Sequence, residues 1–526
     1  MAYQLFTLPK QTNLSSFKLE AGAKAFFYQS TTSTPQDTFT TSALSVAHTN
    51  PVVADAAGVL PAIYLDPALQ YKLTLTTSAD VLIYTIDPIN DQILSQSIIG
   101  AFLYPSSPAE ISAAVTPVNY AYPPGYLYRY GTNTTPGTTN MHDAIVNWLA
   151  SCPDGGTVYL PDEVVSFSGA AITHSRSITI QGTGGREDSD NSWDNGKGSA
   201  LHYKGLTGDG LLFTTPNAGN SRVKLRLYGF MIRGARVSPG SAASGRCIVI
   251  DGRQLSGTAI HLDMDNFYVA EAKDEGIYIT GAVYGGGGRS IGGTDCGKNG
   301  LRIAGAGGDP IGEMRFDLVR LFANGADGTG FEKAGLWAAP GGTNLFFGNL
   351  SCSENAGEGA VLQAGSFVGR SWQFESNGGT SQLYLGSAGG GSGVTGCIVD
   401  GFSSSPGASY TGDIINVTSD AANVRIRQAF FGDSLSGGGS DITVAGAGFV
   451  LEGLSVSGHT FTTDLTAADA LVKGLPRTFT PALMFGGVST GITYGTQVGR
   501  YTVDNGVMDF NITLVLTSKG AAAGTA

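Results

Sequence analysis

Glu275-Gly276-Ile277-Tyr278-Ile279 is answered by four later segments: Asn299-Gly300-Leu301-Arg302-Ile303, Ala334-Gly335-Leu336-Trp337-Ala338, Glu358-Gly359-Ala360-Val361-Leu362 and Ser381-Gln382-Leu383-Tyr384-Leu385. The spacings are 24, 35, 24 and 23 residues, and the long interval holds a loop around Gly325 to Lys333. A second marker runs beside the first. Asn299, Asn324, Asn355 and Asn377 each follow an apolar residue three positions earlier: Cys296, Leu321, Cys352 and Phe374. Short apolar strands with Gly or Asn at their turns, repeating at a fixed period, predict a β-solenoid, in which each coil buries its inward residues by stacking on its neighbours. Asn suits corners that demand a left-handed backbone.

Composition agrees with an all-β chain. Gly counts 77 of 526 residues, which in a charged, apolar-poor chain would signal disorder, but 42% of this chain is hydrophobic. The net charge of −12 gives no basic face for nucleic acid. No run of about 18 apolar residues predicts a membrane span. Met1-Ala2-Tyr3-Gln4 lacks the layout of a signal peptide, so folding in a cytosol is expected. Cys152, Cys247, Cys296, Cys352 and Cys397 are odd in number, widely spaced and without a CxxC, so buried free thiols are expected rather than disulfides or zinc. No cofactor or metal is implied.

Working outward from the repeats, residues 1–95 carry short strand-like runs such as Ala25-Phe26-Phe27-Tyr28, Tyr71-Lys72-Leu73-Thr74-Leu75 and Val81-Leu82-Ile83-Tyr84-Thr85, which predict a small β-sandwich. A proline-stiffened linker is expected over 96–138. The repeat region, 139–470, opens with an amphipathic helix: Ala144/Ile145 and Trp148/Leu149 recur at helical spacing, Thr139 is the expected N-cap, and Pro153-Asp154-Gly155-Gly156 ends it. Such a helix would cap the open end of a strand stack. A Ser/Gly-rich stretch lies near 434–440. Residues 475–526 alternate like strands with one buried face, as in Val507-Met508-Asp509-Phe510-Asn511-Ile512, and form a C-terminal β domain.

Three stretches resemble known proteins. The helix followed by Gly155-Gly156-Thr157-Val158-Tyr159-Leu160-Pro161 and Ile178-Thr179-Ile180-Gln181-Gly182 resembles the entry to the pectate-lyase-like right-handed parallel β-helix of bacteriophage tailspikes and tail fibres. Within residues 20–130, Asn50-Pro51-Val52-Val53-Ala54-Asp55, Asp87-Pro88-Ile89, Asn119-Tyr120-Ala121-Tyr122-Pro123-Pro124-Gly125 and Arg129-Tyr130-Gly131 resemble the virion-attachment region in front of such helices. Phe485-Gly486-Gly487, Gly491-Ile492-Thr493-Tyr494 and Gly499-Arg500-Tyr501 resemble a small domain at phage tail-protein ends, in which further strands are expected where Gly520 to Ala526 stands. The family's Gly-Asp-Gly-rich turn before the cap helix is replaced by Thr132-Asn133-Thr134-Thr135-Pro136-Gly137. The resemblance implies a homotrimer in the virion tail, assembled in the host cytoplasm, joined to a baseplate or adaptor protein through residues 1–95. It also implies recognition, and degradation, of a host-surface polysaccharide. A non-enzymatic receptor-binding or structural fibre is the alternative.

No motif names a reaction, so candidates follow from which side chains point outward. In the repeated strand the middle residue does, giving the series Tyr278, Arg302, Trp337, Val361 and Tyr384. Stacked at ~4.8 Å these form one column, suited to stacking on sugar rings and pairing with acidic sugars, or to packing between subunits. On the neighbouring strand the outward set, counted two and four before each Asn, is Glu271 and Lys273, Asp295, Arg320 and Phe322, Ser351 and Ser353, then Gln373 and Glu375. Glu271 and Asp295 would then stand on adjacent coils at roughly the 5 Å separation of a retaining glycosidase. They and Glu375 are the candidate acids for hydrolysis, and Tyr278, Arg302, Arg320, Trp337 and Tyr384 the candidate saccharide contacts. His261, Asp263 and Asp265 form a further outward set, because Ile260, Leu262 and Met264 alternate inward. A lyase would need a base such as Tyr or His and a cation such as Arg302 or Arg320.

Overall fold

A computed structural model describes residues 4–6 and 20–520 apart from 67, 90–102, 185–197, 217–221, 238–241, 253–257, 306–310, 364, 388–392, 408, 433–439, 458–460, 468–469, 474–476, 486–488, 490, 505–506 and 519. The Ser/Gly-rich stretch and the end from 521 lie outside the described residues. The chain divides into two compact units, Met1–Ile99 and Gly100–Ala526.

In the first unit, Lys24–Gln29 pairs antiparallel with Val52–Val53 and Tyr71–Thr76, and the latter with Leu82–Ile89. Gln4–Phe6 pairs with Ile63–Leu65. Alternation decides the core: Ala25 and Phe27 of one strand bury against Leu73 and Leu75 of its neighbour.

The second unit is dominated by two parallel sheets, of sixteen and eleven strands, which take strands from the chain in turn. In the eleven-stranded sheet Ile248–Asp251 pairs with Ile277–Thr280, then Leu301–Ala304, Leu336–Ala338, Ala360–Leu362 and Ser381–Leu385. The sixteen-stranded sheet holds the longer strands between them, including Ala259–Ala270, Ile311–Phe322, Gly342–Ser353 and Gly365–Glu375. This is the expected parallel β-helix, and right-handed coiling is the sense that parallel crossovers between L-residue strands adopt. One apolar core runs from Val115 to Val472. Ile277, Leu301, Leu336, Ala360 and Leu383 stack in register, as the five overlaid segments require. On the other sheet Phe316 and Phe347 stack with centroids 5.3 Å apart. Each such buried side chain contributes ~1.5–3 kcal/mol, gained only when a neighbouring coil covers it. All five cysteines are buried free thiols.

The helix His142–Ala150 buries Ile145 and Trp148 against the first coils, and the Trp148 indole donates to the Gly125 carbonyl at 2.7 Å. Thr139 does not cap it. Its hydroxyl accepts from the Thr135 N–H, while Asn140 Oδ1 accepts from the His142 N–H at 3.1 Å. The 96–138 stretch contains the short helix Pro108–Ser112, with a full capping box on Ser107 and Glu110. Glu110 forms a buried ion pair with Arg129 and accepts from the Tyr130 hydroxyl. The guanidinium also serves the carbonyls of Tyr122 and Pro105.

The asparagine marker is corrected by three residues at its first member. Cys296, not Asn299, stands in register with Asn324, because the Cys296 N–H donates to Asn324 Oδ1. Asn324, Asn355 and Asn377 form a buried ladder, each amide donating to the next coil's Oδ1 at 3.0 and 2.7 Å. The left-handed corner falls one residue earlier, on Glu271, Asp295, Ala323, Glu354 and Ser376, with φ of 53, 52, 54, 54 and 53°.

At the C-terminal end Arg477–Phe479, Thr493–Asp504 and Val507–Ser518 form a three-stranded antiparallel sheet. The buried face expected there is not made among the described residues: Met508, Phe510 and Ile512 are exposed, Phe510 by 65%.

Candidate functional site: an aromatic and cationic column beside a groove

The outward column of the eleven-stranded sheet is in register as predicted: Tyr278 opposite Arg302, Arg302 opposite Trp337, Trp337 opposite Val361, and Val361 opposite Tyr384. The Arg302 guanidinium lies between two rings, 4.1 Å from the centre of Trp337 and 5.3 Å from that of Tyr278. Arg246 covers the far side of Tyr278 at 4.6 Å. Beneath them the buried Glu275 accepts from Arg246 Nε at 2.8 Å and Arg302 Nη1 at 2.6 Å. Burial raises the pKa of that carboxyl, but the two guanidinium groups outweigh it and hold Glu275 below the usual carboxylate range. The fixed charges keep Arg302 flat against its rings.

Val361 is buried and breaks the series. Phe331, from the turn Gly330–Lys333, restores it: its ring lies 6.3 Å from Trp337 and 4.9 Å from Tyr384. Neither Phe331 nor Arg246 was singled out in the sequence. Phe331 sits in the loop that lengthens one repeat, outside the period. Arg246-Cys247-Ile248-Val249-Ile250 is an earlier member of the series, in register with Glu275-Gly276-Ile277-Tyr278-Ile279, but lacks the glycine that marks four of the five others.

Beside Tyr384 opens a groove of about 810 Å³ lined by Phe331, Lys333, Glu358, Thr380, Asp413 and Asn416. Glu358 accepts from the Thr380 N–H and hydroxyl at 3.2 and 2.9 Å, and Asp413 from the Ser440 N–H at 2.9 Å and the Asn416 amide at 3.3 Å. Both carboxylates accept hydrogen bonds from neighbouring donors at the wall of the groove. Burial, with Asp420 and Glu358 nearby, raises the Tyr384 phenol pKa.

The candidate acids are not brought together. Glu271 and Asp295 do occupy adjacent coils, but at a corner rather than on the outward face. Glu271 is fully buried and forms a bidentate pair with Arg233 at 2.9 and 3.0 Å. The shifted asparagine register explains the error, since the true outward partners of Arg320 and Phe322 are Gly292 and Thr294. The carboxylate of Asp295 takes only a 3.4 Å bond from Thr294. Lys273 binds Asp327 at 3.0 Å. Glu375 is exposed, in register with Ser353 and Ser405, three rungs or ~14 Å along the stack from Asp295. Arg320 stands on the sixteen-stranded sheet opposite Ser351, away from the column it was grouped with, and Gln373 follows Ser351 there. His261, Asp263 and Asp265 do face outward, with Ile260, Leu262 and Met264 fully buried between them.

No family model and no curated protein matches the chain. Among solved structures it is similar to the A-module of an Azotobacter vinelandii mannuronan C-5 epimerase, with 14% identity, a TM-score of 0.42, and coverage of 66% of this chain and 100% of that one. It is also similar to the Dettilon tailspike protein, at 14% identity and TM-score 0.39 over 76% of this chain and 79% of that one. The full-length tailspike protein 2 of an Escherichia coli O157:H7 bacteriophage matches at 13% identity and TM-score 0.40, over 66% of this chain and 42% of that one.

Proposed function

We propose that this chain is a phage tail protein that recognises a host-surface polysaccharide along the column Tyr278, Arg302, Trp337 and Tyr384 and in the groove that adjoins it. The observation that carries the reading is the run of rings and one guanidinium, in which Phe331 from the Gly330–Lys333 turn stands in for buried Val361, ending at a polar groove. Flat rings stack on sugar faces, and Glu358, Asp413, Asn416 and Lys333 offer hydrogen bonds to hydroxyls. The resemblance of residues 20–130 to a virion-attachment region supports placement in the tail, joined through residues 1–95 to a baseplate or adaptor and assembled in the host cytoplasm. The exposed Met508, Phe510 and Ile512 support a homotrimer, in which other copies cover that face.

The test is affinity electrophoresis of the purified protein through surface polysaccharide from the host, with chain length, reducing ends and ultraviolet absorbance followed in parallel. Retarded migration that Trp337→Ala abolishes supports recognition by the column. Unretarded migration sinks it. A second reading, recognition without cleavage, is favoured by one observation: Glu271 is committed to Arg233, so the expected acid pair is not assembled.

A further inference from the structure

Asn299 is the asparagine that the buried ladder does not use. Cys296 takes its place there, yet Asn299 is fully buried. Its side-chain amide is spent elsewhere: Nδ2 donates to the Phe331 carbonyl at 2.9 Å and to the Ala334 carbonyl at 2.7 Å. With both hydrogens engaged the orientation is fixed, because a turned amide would set its oxygen against two carbonyl oxygens. The two carbonyls bracket the turn Gly330–Lys333, which carries the Phe331 ring.

Other groups tie the same loop down. Glu332 accepts from the Thr329 N–H at 3.3 Å and from its hydroxyl at 3.2 Å. Lys298, the neighbour of Asn299, reaches that carboxylate at 3.2 Å and Asp274 at 3.3 Å. Asp327 pairs with Arg236 at 2.9 Å and Lys273 at 3.0 Å. The base of the loop is pinched: φ is +89° at Gly325, and a Cβ there would lie 2.0 Å from the Lys333 carbonyl. Arg236, Lys273, Lys298 and Asn299 all belong to earlier coils, so the loop is laid back on the stack and fastened there.

The stack holds its register by other means, through Leu301 opposite Leu336 and the Asn324 amide on Asn355. What the fastening fixes is the rim. Phe331 is half-buried, its ring 6.3 Å from Trp337 and 4.9 Å from Tyr384, and Phe331 and Lys333 both line the groove. A ring that must be ordered when a ligand arrives costs affinity, and one held in place beforehand does not.

We propose that Asn299 is a positioning residue of the saccharide site: it touches no ligand, but presets the Phe331 turn and through that ring sets the affinity for polysaccharide. The inference rests on the polysaccharide reading above and adds the buried group on which the shape of the site depends. Lys298 and Glu332 support it from the rim.

The experiment is a double-mutant cycle in the full chain: wild type, Asn299→Ala, Phe331→Ala and the double variant. Each is run by affinity electrophoresis through host surface polysaccharide, with a polymer-free gel as control. Circular dichroism checks folding, and Asn299→Ser takes the place of Asn299→Ala should the latter not fold. Each single variant is expected to weaken binding about five- to tenfold, and the double variant no further, because Asn299 acts only through that ring. Without polysaccharide, hydrogen exchange over 329–334 is expected to rise in the Asn299 variant while the coils around Asn324 keep their protection. Additive losses, wild-type binding by either single variant, unchanged exchange over 329–334 or failure of both Asn299 variants to fold overturns the inference and leaves recognition by the column standing. Absence of binding by the wild type removes the recognition reading, and this inference with it.

Discussion

Arg302 and Trp337 occupy adjacent rungs of the helix with the guanidinium 4.1 Å from the ring centre, and Glu275 beneath fixes the charge in place. A cation held over an indole is worth ~0.5–2 kcal/mol, and the ring is only half-buried, so part of it remains to meet a ligand. Trp337→Ala is expected to weaken polysaccharide binding about tenfold or more, and Arg302→Ala to weaken it chiefly for acidic polymers. Affinity electrophoresis at two salt concentrations separates the two effects, because only the charge contribution is screened.

Glu271→Ala is expected to destabilise the coil by ~3–5 kcal/mol, since it removes the buried carboxylate of the bidentate pair with Arg233. Activity per folded molecule should stay at the wild-type value. Denaturation and turnover measured on one preparation check this, and a selective loss of turnover would return Glu271 to the list of catalytic groups.

Asn355→Ala removes the middle of the amide ladder. Asn324 and the Leu321 carbonyl lose partners, while Asn377 keeps the bonds from its own amide to the Cys352 carbonyl and Gln382. Each buried group left unsatisfied costs ~1–3 kcal/mol, so a total of ~2–4 kcal/mol is expected. Hydrogen exchange should show the loss concentrated in the coils on either side of residue 355, because coils interact with nearest neighbours only.

His174 is buried in the strand Ile172–His174 against Phe213, with Nε2 unpartnered. Burial, and then Arg176, lowers its pKa to about 4. Because the folded value is depressed below the unfolded value of ~6.5, its contribution is intact above the latter and is lost as pH falls towards 4. The loss is on the order of 3 kcal/mol, and His174→Phe should remove that part of the difference between denaturation midpoints at about pH 7.5 and about pH 4.5.

The sequence carried the stack well and the corner badly. Glycine before an apolar-outward-apolar triplet marked Ile277, Leu301, Leu336 and Ala360, and the same alternation after Gln382 marked Leu383, because the inward residue must be apolar on every rung. Asn299 misled because it follows Cys296 at the same offset by which Asn324 follows Leu321. The two are told apart only by which carbonyl and amide face each other across coils, as in the Cys296 to Asn324 bond. That slip put Glu271 on the outward face, when its side chain turns in to meet Arg233, 38 positions earlier. Phe331 lay hidden for a different reason: a loop has no period, so nothing local announces that its ring fills the place left by Val361. Tyr228 and Asp263, joined by a hydrogen bond, belong to neighbouring strands whose alignment fixes their meeting.

The turn that carries Phe331 has one more implication. Asn324 and Asn355 are bonded rung to rung although 31 residues separate them, while Asn355 and Asn377 are bonded across 22. The surplus is absorbed at the rim, and the Leu321–Cys352–Phe374 stack beneath keeps its register. Rim length is thus decoupled from fold integrity. Loops at this level can be lengthened, shortened or exchanged as cassettes, so recognition can diversify rapidly on a scaffold that does not have to be rebuilt each time.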